Sequence, residues 1–152
     1  MIEKERKFLV DKTSLPNWNL SNGKRIKQFY FEHKNGAHLR FRISDSESEL
    51  TIKGKRVGDE RLEIEESISS NFLQEVLKHF KFPIIEKTRI VHFEFDCKWE
   101  IDFFHGIHEG LIIAEIELTN NNQKINYPEW ISQEITDQEQ YYNESLYKKL
   151  LY

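Results

Sequence analysis

At 152 residues the chain fits one domain, residues 1 to 152, with a single core. It is 38% hydrophobic and 32% charged, with 11 Phe, 6 Tyr and 3 Trp, which is too polar for a membrane protein and too aromatic for a disordered one. The formal net charge of -4 argues against non-specific nucleic-acid binding, which draws on a net basic surface.

Cys97 is the only cysteine, so no intramolecular disulfide can form, which fits a reducing compartment. The N-terminus passes from Met1 and Ile2 directly into charges, with neither a leader pattern nor a membrane-spanning run. The expected location is the cytoplasm. No nucleic-acid or membrane partner is expected, and a homodimer is compatible with the sequence.

In chain order, Glu3-Lys4-Glu5-Arg6-Lys7 reads as a first strand, with Glu3, Glu5 and Lys7 on one face and Lys4, Arg6 and Phe8 on the other. Alone, it is either a solvated edge or a row that holds a divalent cation beside an anion. Residues 11 to 23 read as a loop or short helical turn. Residues 24 to 34 alternate as a strand, with Ile26, Gln28 and Tyr30 opposite Phe29 and Phe31, up to an Asn35-Gly36 turn.

The returning strand, residues 37 to 44, sets His38, Arg40 and Arg42 against Leu39, Phe41 and Ile43. Thr51 and Lys53 oppose Leu50 and Ile52 in the next, and Arg61, Glu63 and Glu65 oppose Leu62 and Ile64 in the one after. Phe72, Leu73, Val76, Leu77 and Phe80 then fall at helical spacing behind a cap at Ser70 or Asn71. Pro83 ends that helix, and residues 84 to 96 read as one strand with Lys87 and Arg89 on the same face. Trp99, Ile101 and Phe103 alternate with Glu100 and Asp102, and residues 111 to 118 put Glu115 and Glu117 on one face. From Pro128 onward, apolar residues at roughly helical intervals predict one or two short helices.

About eight antiparallel strands with two or three helices outside them predict an α+β fold built on a closed or nearly closed barrel. An ordinary barrel turns its apolar residues inward. Amphipathic helices need an apolar surface to cover, which favours the inverse: apolar residues outside and charges lining a wet tunnel. Such an interior is costly without a highly charged ligand. Arg40, Arg42, Lys53, Lys87 and Arg89 would cradle a polyphosphate, and Glu3, Glu5, Glu115 and Glu117 would supply the oxygen ligands that Mg²⁺ or Mn²⁺ prefers. The six histidines show no compact zinc-ligand spacing.

The stretch EKERKFLV resembles the Glu-x-Glu-x-Lys signature of the CYTH superfamily, the triphosphate tunnel metalloenzymes. The similarity continues in order through LRFRI, LTIKGK, RLEIEE, EKTRI, WEIDFF and GLIIAEIEL. It implies an eight-stranded antiparallel tunnel that hydrolyses a triphosphate with Mg²⁺ or Mn²⁺. In it, Glu3, Glu5, Glu115 and Glu117 match metal-binding acids, and Lys7, Arg40, Arg42, Lys53, Lys87 and Arg89 match triphosphate-binding positions. Glu63, Glu65 and Asp102 would line the tunnel, along with Arg61 and Glu100. Tyr30 matches a tyrosine that works beside the signature lysine, here Lys7, as a catalytic pair. Gln140 stands where a basic residue is expected, which puts a contribution of the C-terminal segment to closure in question.

Inorganic triphosphate is the expected substrate in a short chain of this kind. The alternatives are a class IV adenylate cyclase, a thiamine or nucleoside triphosphatase, and a non-catalytic polyphosphate-binding module.

Overall fold

Strict alternation along most strands gives each a charged and an apolar face, and closing the sheet decides which face is inside. The computed structural model describes residues 2–45, 47–120 and 122–151. Its strands are β1 (Ile2–Val10), β2 (Lys24–Glu32), β3 (His38–Ser44), β4 (Ser48–Lys53), β5 (Glu60–Ser67), β6 (Ile85–Glu94), β7 (Cys97–Phe104), β8 (Ile112–Glu117) and β9 (Ile131–Glu134). Two α-helices, α1 (Ser70–His79) and α2 (Asn143–Lys148), lie outside the sheet. The order is β5-β4-β3-β2-β6-β7-β8-β1, and β1 pairs back onto β5, so eight antiparallel strands form the expected closed barrel.

The closing seam is short. Among the described residues, Ile2↔Leu62, Glu3↔Arg61 and Lys4↔Glu60 pair across it, and the Glu5 amide adds one bond to the Asp59 carbonyl at 3.2 Å. Beyond Lys4, β1 stays with β8 and gains β9 on its other edge, through a register shift between Phe8 and Val10. Residues 131 to 134 are therefore a strand where helical spacing predicts a helix. The edge of β1 left free by β5 offers backbone partners, as in the Ile135 amide bonded to the Lys7 carbonyl at 2.8 Å, and that pairing overrides a weak periodicity.

Two other boundaries differ from expectation. Residues 84 to 96 end in a hairpin, because Phe95 and Asp96 both take positive φ (51° and 60°) in a two-residue turn between β6 and β7. That geometry suits the twist of antiparallel strands, but it carries no Asn-Gly signal here. The α1 cap is Ser69, one residue earlier than expected, with its hydroxyl accepting from the Phe72 amide at 3.3 Å.

The apolar side chains form two clusters. One joins Leu73 of α1, with Val76 and Leu77 beside it, to Phe29, Phe41 and Ile43 of the barrel. The other centres on Phe8, Trp99, Ile101, Ala114 and Ile116. Helices cover only the first. Over the second lie connecting segments, which bring in Leu15, Trp18, Ile125 and Trp130. The tunnel-facing positions also turn apolar at one end. Tyr30, Ile85, Phe104 and Ile113 fall in strand parity with Gln28, Lys87, Asp102 and Glu115, and they share the first cluster with Leu146 and Tyr147 of α2. That layer seals the barrel, so the tunnel has one closed end.

Candidate active site

The barrel encloses a cavity of about 160 Å³ lined by Glu3, Glu5, Lys7, Arg40, Arg42, Lys53, Glu63, Glu65, Arg89, Glu100, Glu115, Ile116, Glu117 and Asn143. Period-two alternation carries twelve of the expected residues there. Four stand apart from the lining. Lys87 and Asp102 form a fully buried pair one layer deeper, Arg61 reaches Glu144, and Tyr30 sits in the apolar seal.

Lys7 is the hub of one wall. Its ammonium lies 3.4 Å from Glu115 and 3.5 Å from Glu5. Burial opposes its charge, but Glu115, Glu5 and Glu144 outweigh that and hold its pKa above the ordinary lysine value. Glu5 is partly exposed, and although desolvation works against its charge, Lys7, Lys53 and Arg56 hold it well below the usual carboxylate range. The four acids expected to bind metal are thus divided, with Glu5 and Glu115 both engaged by Lys7.

Glu3 has different neighbours. Carboxylate oxygens of Glu3, Glu63 and Glu65 lie within 4.8 Å of one another. Burial, and then the Glu63 carboxyl, push Glu3 up to about 8. Glu63 is partnered by Lys53, whose pKa falls through burial and the repulsion of Arg40. A cluster of acids that must hold a proton to stand together is a donor set suited to a hard divalent cation. The residues present therefore fit the metal that the expected chemistry requires.

The arginines crowd the opposite wall. Arg40 Nη2 donates to Thr51 Oγ1 at 2.9 Å, Glu49 at 3.1 Å and Glu65 at 3.3 Å, while its Nε is buried with no partner among the described residues. Arg42 Nε donates to Gln28 Oε1 at 3.2 Å. Burial, Arg40 and Arg89 bring Arg42 down to about 10. Arg89 grips Asp102 with two hydrogen bonds, at 2.7 and 2.8 Å, and also meets Glu100. Lys87 donates to Asp102 at 2.6 Å and to Asn143 Oδ1 at 3.2 Å. Burial, reinforced by Arg89 and Arg42, lowers it to about 7 although Asp102 pulls the other way. Mutual repulsion among these cations is what a bound polyanion relieves.

Among the described residues, Tyr30 contacts Gln28 and Tyr147, and no hydrogen bond joins it to Lys7. The Tyr30 hydroxyl accepts from Gln28 Nε2 at 3.0 Å, and its ring lies 5.6 Å from that of Tyr147. It connects to the cavity through Gln28, whose other end holds Arg42.

Several residues escaped the sequence reading. Glu49 follows from parity with Thr51 and Lys53. Asn143 and Glu144 open α2, where Glu144 is held near 2 by Arg61 and Lys7 against the effect of burial. Nothing in a six-residue helix announces that its polar end enters a barrel.

The fold and the site together define an antiparallel barrel around an acid-rich, arginine-studded cavity, the architecture of a metal-assisted polyphosphate enzyme. The CYTH domain model matches residues 1–150, and the chain belongs to the CYTH domain family. It is 36% identical over 148 residues to the inorganic triphosphatase of Acetivibrio thermocellus, which covers 96% of this chain and 93% of that protein. The crystal structure of the inorganic triphosphatase NE1496 superposes with a TM-score of 0.67 at 27% identity, over 95% of this chain and 93% of that one. The PH1012 protein of Pyrococcus horikoshii shares the fold, with a TM-score of 0.56 at 19% identity over 79% and 80% of the two chains.

Proposed function

We propose that the chain is a divalent-metal-dependent inorganic triphosphatase, which hydrolyses tripolyphosphate to diphosphate and phosphate in the barrel cavity. The observation that carries this is the lining itself, in which five cations and seven carboxylates share one closed-ended space. The cations suit phosphate oxygens. The excess of acids would repel a polyanion unless divalent cations accompany it, so the composition supports substrate and metal together. The 36% identity to an inorganic triphosphatase points the same way.

In this reading Glu3, Glu63 and Glu65 hold a Mg²⁺ or Mn²⁺ ion, and Glu5, Glu115 and Glu117, on β1 and the adjoining β8, are further candidate ligands. When bound, the cation supplies positive charge at the terminal phosphoryl oxygens. Lys7 remains protonated and donates to a phosphate oxygen rather than serving as a base. Arg40, Arg42, Lys53 and Arg89 bind the remaining oxygens and hold the chain of phosphates in line for attack by water. Water forms the new bond to the terminal phosphorus, the bridging P–O bond breaks, and diphosphate leaves. Lys87 and Asp102 fix Arg89, and Tyr30 fixes Arg42 through Gln28, so both act as positioning groups. Among the described residues that line the cavity, Ile116 is the only apolar one and none is aromatic, which favours inorganic triphosphate over a nucleotide whose base would need a stacking face.

The test is phosphate release from tripolyphosphate with Mg²⁺ or Mn²⁺, set beside ATP and thiamine triphosphate and repeated for Glu115→Gln. Metal-dependent turnover that is fastest on tripolyphosphate is expected. Tight binding with no turnover on any of the three would instead make the chain a polyphosphate-binding module.

A further inference from the structure

Arg56 lies in the loop between β4 and β5 and was not among the residues expected in the site. Its side chain is only 9% exposed, and Nη2 donates to Glu5 Oε1 at 2.9 Å. The same carboxylate oxygen lies 3.5 Å from Lys7 Nζ, so two cations flank it. Both also stand over the Tyr142 ring, Arg56 Cζ at 4.7 Å and Lys7 Nζ at 5.9 Å from its centroid. Strand pairing between β1 and β5 ends at Lys4, and the Glu5 amide makes one further bond, to the Asp59 carbonyl at 3.2 Å. The β4–β5 loop that carries Arg56 is thus held beside Glu5.

The remaining donors of Arg56 are unspent. Nε and Nη1 are buried and have no hydrogen-bond partner among the described residues. A guanidinium cannot shed its charge, and leaving buried donors unmatched costs more than an ordinary hydrogen bond returns. Among the described residues the only other arginine with such a nitrogen is Arg40, in the cavity wall. Shared carboxylate, shared ring and unmatched donors all place Arg56 with Lys7 rather than with the surface.

We propose that Arg56 is a further phosphate-binding residue, supplied by the β4–β5 loop, whose free donors take oxygens of the phosphate seated beside Lys7. The proposal rests on the triphosphatase reading. Arg56 does not itself line the cavity and meets it at Glu5, so the contact forms once a cation draws Glu5 away. Glu5 and the phosphate therefore alternate as partners of one arginine.

The test separates this role from merely holding Glu5. Tripolyphosphate is titrated calorimetrically into metal-free Glu5→Gln and into Glu5→Gln/Arg56→Ala, with circular dichroism melts confirming that both are folded. Arg56→Gln replaces the alanine variant if that fails to fold. Loss of Arg56 is expected to weaken binding about ten- to a hundredfold in the Glu5→Gln background. In the presence of Mg²⁺, Arg56→Ala alone is expected to raise KM by a similar factor, with Arg56→Lys recovering part of the loss. Affinities within about twofold in the Glu5→Gln pair overturn the proposal and leave Arg56 as a brace for Glu5, while wild-type turnover keeps the triphosphatase reading intact. A wild-type protein that neither binds nor hydrolyses tripolyphosphate overturns both.

Discussion

Glu3 and Arg40 occupy the same cavity in opposite conditions, one with too little positive charge beside it and the other with donors to spare. Glu3 is raised from 4.5 to about 8 by burial and by Glu63, so the folded chain keeps a proton that the unfolded chain releases. Its contribution to stability is fully present below about 4.5 and is lost as pH rises through about 8. Thermal melts of the metal-free protein should therefore show Glu3→Gln gaining on wild type across this interval, and parallel pH profiles would remove the carboxylate crowding inferred here. Arg40→Ala removes charge-assisted contacts to the substrate, and steady-state kinetics on tripolyphosphate should show a loss of about 1.5 to 3 kcal/mol in kcat/KM. Strand parity made both residues legible, because Glu3 shares a face with Glu5 and Arg40 with Arg42. Arg56 was not legible, since a loop residue has no period to betray where it points.

At the scale of elements, α1 and α2 have different tasks. α1 is a cover, anchored by Leu73 at 0% exposure. Leu73→Ala should cost about 2 to 5 kcal/mol in urea unfolding while leaving KM for tripolyphosphate unchanged. α2 is a stopper, with Leu146 and Tyr147 in the apolar seal and Asn143 and Glu144 reaching the charged interior. The Arg61–Glu144 pair, at 2.7 Å and nearly solvent-free, fastens it to β5. Glu144→Leu leaves Arg61 buried without its partner and should destabilise the fold by about 3 to 5 kcal/mol. The chemical denaturation midpoint reads that loss directly. Helical spacing revealed α1 and the end of the chain as a helix, yet it misassigned β9, whose existence depends on the β1 edge exposed by the short seam.

For the whole molecule, stability and ligand binding are linked through the interior. A barrel that buries like charges against one another holds its ligand's complement in advance, so ligand binding should stabilise it strongly. Tripolyphosphate with Mg²⁺ at about one hundred times its Kd should add about 2.7 kcal/mol to unfolding free energy, seen as a rise in Tm that a chelator reverses. A Tm indifferent to both would mean that the cavity does not bind the complex.

The sequence by itself determined the faces. Alternating charge with period two, and helices that needed an apolar surface, were enough to turn the charged side inward and to name the acids and bases of the cavity. Only the tertiary structure decided how those residues are divided. It set Glu3 with Glu63 and Glu65 rather than with Glu115 and Glu117, placed Tyr30 in the apolar seal behind Gln28, and brought Arg56 of the β4–β5 loop to Glu5. The reason is geometric: alternation specifies the side of a sheet, whereas contacts across a barrel depend on register, on where the seam pairing ends and on which segment fills the end.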